Sequence, residues 1–349
     1  MRYPDPVTIR IRPAALLLAA CGMVVSAQAP LPVAAQRIWF GPGPGTLDYQ
    51  RLFEHPEEWP RARALMSVFQ FYQQHTQMPP ASILGPNSYE ALVRVGAFRQ
   101  LRAWGIKTAM EAGSVKEGYC LDEPDGIELS IRSTTQSILA VEAAGGTVDY
   151  LAQDEPWTAG GSPACGGPAL EPTDDKVVQY MSAVQRRFPN LRIGLIEAYP
   201  NLSLQTIERI LDVLRARGTP PAFFHADVDW RALRPGEFER DLPRLQAAAK
   251  ARGIPFGVIV WGYNGDADLL FARDAADIAG LLAKAFVSWE HMPEHIIFQS
   301  WAESRTGLRV TPSNLPEDRA YAHTNIVLNL YRRLRGTVGG GIGKAQARG

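Results

Sequence analysis

The chain has 349 residues, 46% hydrophobic and 21% charged, a make-up that excludes disordered and fibrous classes. Lys+Arg and Asp+Glu balance at 36 each. With no basic excess to follow a phosphate backbone, nucleic acid is not expected as a partner.

Residues 1–29 read as a secretory leader: Arg2, Arg10 and Arg12, an apolar run from Ala14 to Val25, then Ser26-Ala27-Gln28-Ala29. The run is too short to span a bilayer. An alternative is a lipoprotein signal ending at residue 20, because Leu18-Ala19-Ala20-Cys21 would leave Cys21 as a lipidated membrane tether. Both readings imply export, to the periplasm or outside the cell. In that oxidising setting Cys120 and Cys165 are expected to pair. The bridge would close a loop of about 45 residues and contribute about 4 kcal/mol.

After the leader, eight short β-rich runs alternate with helical patterns. The first four are Arg37 to Phe40, Ala64 to Phe71, Ile106 to Glu111 and Val148 to Glu155. The last four are Arg192 to Glu197, Ala222 to Asp227, Phe256 to Trp261 and His295 to Trp301. Most are apolar until their C-terminal end, as parallel strands buried on both faces should be. Between them, Ile207, Ile210, Leu211 and Leu214 keep helical spacing, with Ser203 as N-cap and Gly218 as stop. Val177, Met181 and Val184 mark the preceding helix, which ends near Pro189-Asn190. Asn87-Ser88 opens a helix that closes at Gly105, and Gly253 closes the one after the sixth strand. A last helix is expected from about Glu317 to Arg335, before a Gly-rich disordered tail. This predicts an α/β protein, a single-domain (β/α)8 TIM barrel over residues 30–336 with a tail over 337–349. An open doubly wound sheet fits less well: Gly41-Pro42-Gly43-Pro44-Gly45 is too Pro-rich for a dinucleotide loop.

Barrel active sites are built at the C-terminal strand ends. Those ends carry Glu111, Asp154, Glu155, Glu197, His225, Asp227 and Asp229, with Glu303 just beyond the eighth strand. The same rim carries Trp157, Tyr199, Trp230, Trp261, Tyr263 and Trp301. Carboxylates beside flat aromatic faces suit a sugar, whose C–H faces stack while its hydroxyls form hydrogen bonds. A carbohydrate substrate is therefore expected, with no cofactor and no metal, and a monomeric protein.

The run Tyr150-Leu151-Ala152-Gln153-Asp154-Glu155-Pro156 resembles the fourth-strand end of the large clan of retaining barrel glycosidases. That resemblance implies that Glu155 is a general acid/base, and Gln299-Ser300-Trp301 is similar to the sugar-flooring Trp of such barrels. Two departures stand out. Asp154 replaces the clan's Asn, and the seventh strand ends Trp261-Gly262-Tyr263-Asn264 with no Glu where the clan has its nucleophile. The partner carboxylate is left open between Glu197, Glu303 and, behind them, Asp227; their separation from Glu155 would fix a retaining or inverting outcome. The rival readings are a barrel that binds polysaccharide without cutting it, and an enolase-like metal site on Glu111, Glu155, Glu197 and Asp227.

Overall fold

The computed structural model describes residues 37–77, 86–115, 126–160, 170–263, 267–301 and 312–339. Eight parallel strands close on themselves in sequence order. They are β1 (Arg37–Gly41), β2 (Met66–Tyr72), β3 (Lys107–Ala112), β4 (Tyr150–Asp154), β5 (Arg192–Tyr199), β6 (Phe224–Val228), β7 (Phe256–Val260) and β8 (His295–Gln299). The expected (β/α)8 barrel is what the chain forms, with strand ends displaced from expectation by one or two residues at most positions.

Successive side chains on a strand point to opposite faces. One set fills the barrel: Trp39, Val68, Ala109, Tyr150, Ala152, Ile196, Phe223, Ile259 and Ile297 form a single buried cluster. The other set, including Phe40, Phe69, Leu151, Leu195, Phe224, Val258 and Phe298, packs under the helices. Both faces are therefore apolar, which explains the unbroken hydrophobic runs. Two inward glycines make room for rings. A Cβ on Gly194 would lie 2.5 Å from the Phe223 ring, and one on Gly257 would lie 2.6 Å from His225 Cδ2.

The helices begin with α1 (Arg51–Glu54), α2 (Pro60–Leu65), α3 (Tyr89–Arg94), α4 (Ala97–Ala103) and α5 (Gly126–Ala143). They continue with α6 (Pro156–Gly160), α7 (Glu171–Arg187), α8 (Leu204–Ala216), α9 (Glu237–Ala251), α10 (Asp268–Ala285) and α11 (His323–Gly339). Ser203 caps α8 as expected, accepting from the Thr206 N–H at 3.1 Å. The single helix expected between Ser88 and Gly105 is two, α3 and α4, because Gly96 turns left-handed at φ +68°. The last helix starts at His323 rather than Glu317. The Glu317 carboxylate instead accepts from the N–H groups of Arg61 (3.3 Å) and Ala62 (2.8 Å) and from Arg61 Nε (2.7 Å) at the start of α2. That helix also continues past Arg335 to Gly339, into the segment expected to be a disordered tail. No helix among the described residues is long and apolar enough to cross a membrane.

Candidate active site

Strand alternation decides which rim residues face the barrel axis. In register, Tyr72 lies beside Glu111 and Glu111 beside Ala152. Asp154 lies beside Ile196, and Ala198 beside Asp227. Ala152 and Ile196 belong to the interior cluster. Glu111, Asp154 and Asp227 therefore stand on the inner face of the mouth.

Glu111 is 8% exposed and its Oε2 accepts from two amides, Gln70 Nε2 at 2.6 Å and Gln299 Nε2 at 2.5 Å. Gln299 comes from β8, which is separated from β3 by β1 and β2. Gly41 on β1 leaves that gap open, since a Cβ there would lie 3.1 Å from Gln299 Cγ and 3.6 Å from Gln70 Cβ. Gln299 Nε2 also donates to the Tyr72 hydroxyl at 3.0 Å, and that hydroxyl donates to the Ser300 carbonyl at 3.2 Å. Burial holds the Tyr72 phenol well above its ordinary range, and the nearby charges of Glu111 and Asp154 add to the shift.

Glu155 is where the sheet becomes a helix. Its N–H continues the ladder to the Ile196 carbonyl at 2.9 Å, and its own carbonyl accepts the Ala159 N–H of α6 at 2.9 Å. Between those two bonds it adopts φ +48°, one of three non-glycine residues with positive φ among those described. The left-handed region costs a side-chain-bearing residue about 1–2 kcal/mol. The turn also frees Glu155 from the alternation that would have continued Gln153's outward direction.

Glu197 lies on the other face. Flanked by inward Ile196 and Ala198, it is 1% exposed and directed toward α6. One oxygen accepts the Trp157 N–H (2.9 Å), and the other accepts the Thr158 N–H (3.1 Å) and the Thr158 hydroxyl (2.7 Å). It thus caps the helix that follows Glu155. Burial pushes its carboxyl up to about 8; the donors of Trp157 and Thr158 oppose the rise, and the charge of Glu155 adds to it. The expectation of Glu197 as a mouth carboxylate is corrected by its strand face. The acidic set expected for an enolase-like metal site loses the same member.

Two rim aromatics also turn outward, Tyr199 by its strand face and Trp157 from α6. Trp157 is 0% exposed and its Nε1 donates to Asp174 at 2.9 Å, where Arg209 also binds at 2.7 and 3.2 Å. It offers no face to a sugar. Tyr199 donates its hydroxyl to Asp241 at 2.8 Å, under α9. His225 is inward but below the mouth. It packs edge-on to Trp39 with centroids 4.8 Å apart, and its Nε2 lies 2.8 Å from His295 Nδ1. Burial and His295 hold its pKa well below the ordinary value, and its placement is that of a core residue rather than a ligand contact.

The remaining aromatics converge at β6 to β8. Trp261 meets Trp230 at 5.2 Å, Trp301 at 5.0 Å and Tyr263 at 6.3 Å between centroids. Arg231 lies over Tyr263, with Cζ 3.2 Å from the ring centroid, and is held by Asp229 through Nε (2.9 Å) and Nη2 (3.0 Å). Asp229 is therefore a tether for Arg231. Trp261 Nε1 is buried without a hydrogen-bond partner among the described residues.

Glu303, Cys120, Cys165 and Cys21 lie outside the described residues. Among the described residues no group of three or more His, Cys, Asp or Glu side chains could hold a metal ion. Sequence reading passed over Gln70 and Tyr72. The signal was a polar residue at an inward position near the end of an apolar strand, matched by Gln299 on β8.

No protein-family model matches the chain, and no curated protein does. Solved structures with the same fold include a family 10 glycoside hydrolase from Paenibacillus barcinonensis, 13% identical, with a TM-score of 0.53 over 84% of this chain and 94% of that one. Native xylanase 10B from Thermotoga maritima is 10% identical, with a TM-score of 0.51 over 86% of this chain and 98% of that one. A family 10 xylanase of Thermobacillus composti is 13% identical, with a TM-score of 0.51 over 85% and 97%. At such identities the likeness is one of fold.

Proposed function

We propose that this protein is a glycoside hydrolase in which Glu155 is the general acid. The observation that carries the reading is the backbone of Glu155. A charged residue is held left-handed at a barrel strand's C-terminal end, where local strain is a mark of functional positions. Its neighbours fit a sugar. Trp230, Trp261, Tyr263 and Trp301 supply an aromatic wall, and Glu111, Asp154 and Asp227 supply acceptors for hydroxyl groups. The barrel shared with glycosidases adds only analogy.

In this reading Glu155 donates its proton to the glycosidic oxygen as the bond to the anomeric carbon breaks, and a carboxylate on the opposite side completes the displacement. Glu197 holds Glu155 in place by capping α6. The test is reducing-end release from a panel of bacterial and plant glycans, headed by xylan, because two of the fold neighbours are xylanases. The wild type should cleave at least one glycan. Glu155→Gln should lower kcat at least about 1,000-fold while still binding the sugar. A wild type that releases nothing, or a Glu155→Gln variant that still turns over, overturns the proposal.

A further inference from the structure

Accepting the glycosidase reading, we infer that Glu111 on β3 carries the second carboxylate of the reaction, the one that acts on the anomeric carbon while Glu155 acts on the leaving oxygen. Three observations lead there. Glu111 is on the inner face, whereas Glu197 is on the outer one. Its carboxylate is held in place at the mouth, because amides from both β2 and β8 meet at its Oε2. The third concerns what those amides leave behind.

A carboxylate oxygen only accepts, so each glutamine must turn its Nε2 toward Glu111 and its Oε1 away. The orientation of both amides is thereby fixed. Gln70 Oε1 and Gln299 Oε1 are left buried and without a hydrogen-bond partner among the described residues, on side chains 0% and 2% exposed. Buried acceptors are ordinarily satisfied, and leaving one unmet costs about 1–3 kcal/mol. Accepting that cost keeps both donors on one carboxylate oxygen, so the pair of glutamines acts as a positioning frame around Glu111.

The step balances in either stereochemical course. Glu155 gives its proton to the leaving oxygen as the anomeric C–O bond breaks. The new bond forms on Glu111's side. Glu111 Oε forms it directly and is later displaced by a water that Glu155 deprotonates, or a water forms it while Glu111 takes the water's proton.

The test uses the full chain, the glycan the wild type cleaves, and the 2,4-dinitrophenyl glycoside of the same sugar. Glu111→Gln is expected to lower kcat at least about 1,000-fold while the oligosaccharide still binds. Glu111→Ala with added azide is expected either to regain turnover of the activated glycoside and yield a glycosyl azide, showing direct attack, or to accompany wild-type product of inverted configuration, showing the water route. Should Glu111→Gln fail to fold by circular dichroism, Glu111→Asp keeps the charge but retracts it. Its kcat should then fall about 100-fold or more with KM little changed. If either folded variant stays within about tenfold of wild-type kcat while Glu155→Gln is inactive, the assignment of Glu111 is overturned and the glycosidase reading stands. If the wild type cleaves nothing, both fall.

Discussion

Replacing Glu197 with Gln turns its burial into a measurable pH dependence. The carboxyl is lifted from 4.5 to about 8, first by loss of solvent and then by the charge of Glu155, against the pull of the Trp157 and Thr158 donors. A carboxyl with a raised folded-state pKa holds its proton more tightly in the folded protein than in the unfolded chain. Below about pH 4.5 both states are protonated and the group adds no pH dependence. As pH climbs from there, the unfolded chain ionises freely while the folded protein resists, so stability is lost up to about pH 8 and is level above it. By pH 7 the loss spans two and a half pH units at about 1.4 kcal/mol each, or about 3 kcal/mol.

Gln keeps the size of the side chain and one carbonyl acceptor for the Trp157 N–H, but has no proton to lose. At about pH 5 the variant should be the less stable protein by about 1 kcal/mol, because its amide nitrogen faces the Thr158 N–H. Between about pH 5 and pH 8.5 it should gain on the wild type by about 4 kcal/mol, so that the order of stabilities reverses. Urea unfolding of the two proteins at both pH values measures this, and the difference between them cancels every other titrating group. An unchanged difference would refute the reasoning. It would mean that the three donors keep the carboxylate ionised throughout.

Glu155→Gly and Glu155→Ala should both be inactive, yet Gly should be the more stable by about 1 kcal/mol in urea unfolding, because only Ala retains the left-handed penalty at φ +48°. Equal stabilities would show that the turn imposes no strain. Gly194→Ala should lower stability by about 1–3 kcal/mol, read as a fall in Tm, since the added methyl would sit 2.5 Å from the Phe223 ring. An unchanged Tm would mean that the barrel interior there is loosely packed.

The fold was legible because its signal is repetitive. Eight apolar runs, each ending near an acidic or aromatic residue, leave few alternatives to a closed parallel barrel. Helix boundaries were legible where a side chain caps locally, as Ser203 does. They were not legible where the cap is distant in sequence: Glu317 serves α2, more than 250 residues upstream, and no local pattern announces that. The site was legible as a location and less so as a constellation. Asp227 and Glu111 face the axis as expected. Glu197 and Tyr199 sit at equally plausible strand ends but turn into the helix layer, and Trp157 lies within α6.

What separates the two groups is parity counted from the interior. In a strand apolar on both faces, hydropathy does not reveal which residues point inward, so a list of strand-end carboxylates mixes the two faces. The polar residues within the strands do reveal it. Gln70 and Gln299 sit on the same face as Val68 and Ile297, which places Glu111 on that face through the register of β2 with β3. On β4 and β5 the alternation sends Gln153 and Glu197 outward together, and Glu155 would follow them in a regular strand. It does not, because the left-handed turn at Glu155 ends the strand and restarts the chain as α6. Glu197 then holds that helix by its first N–H groups. The outward carboxyl and the turned one are thus two parts of one device, and a carboxyl buried at Glu197 is the condition for a carboxyl presented at Glu155.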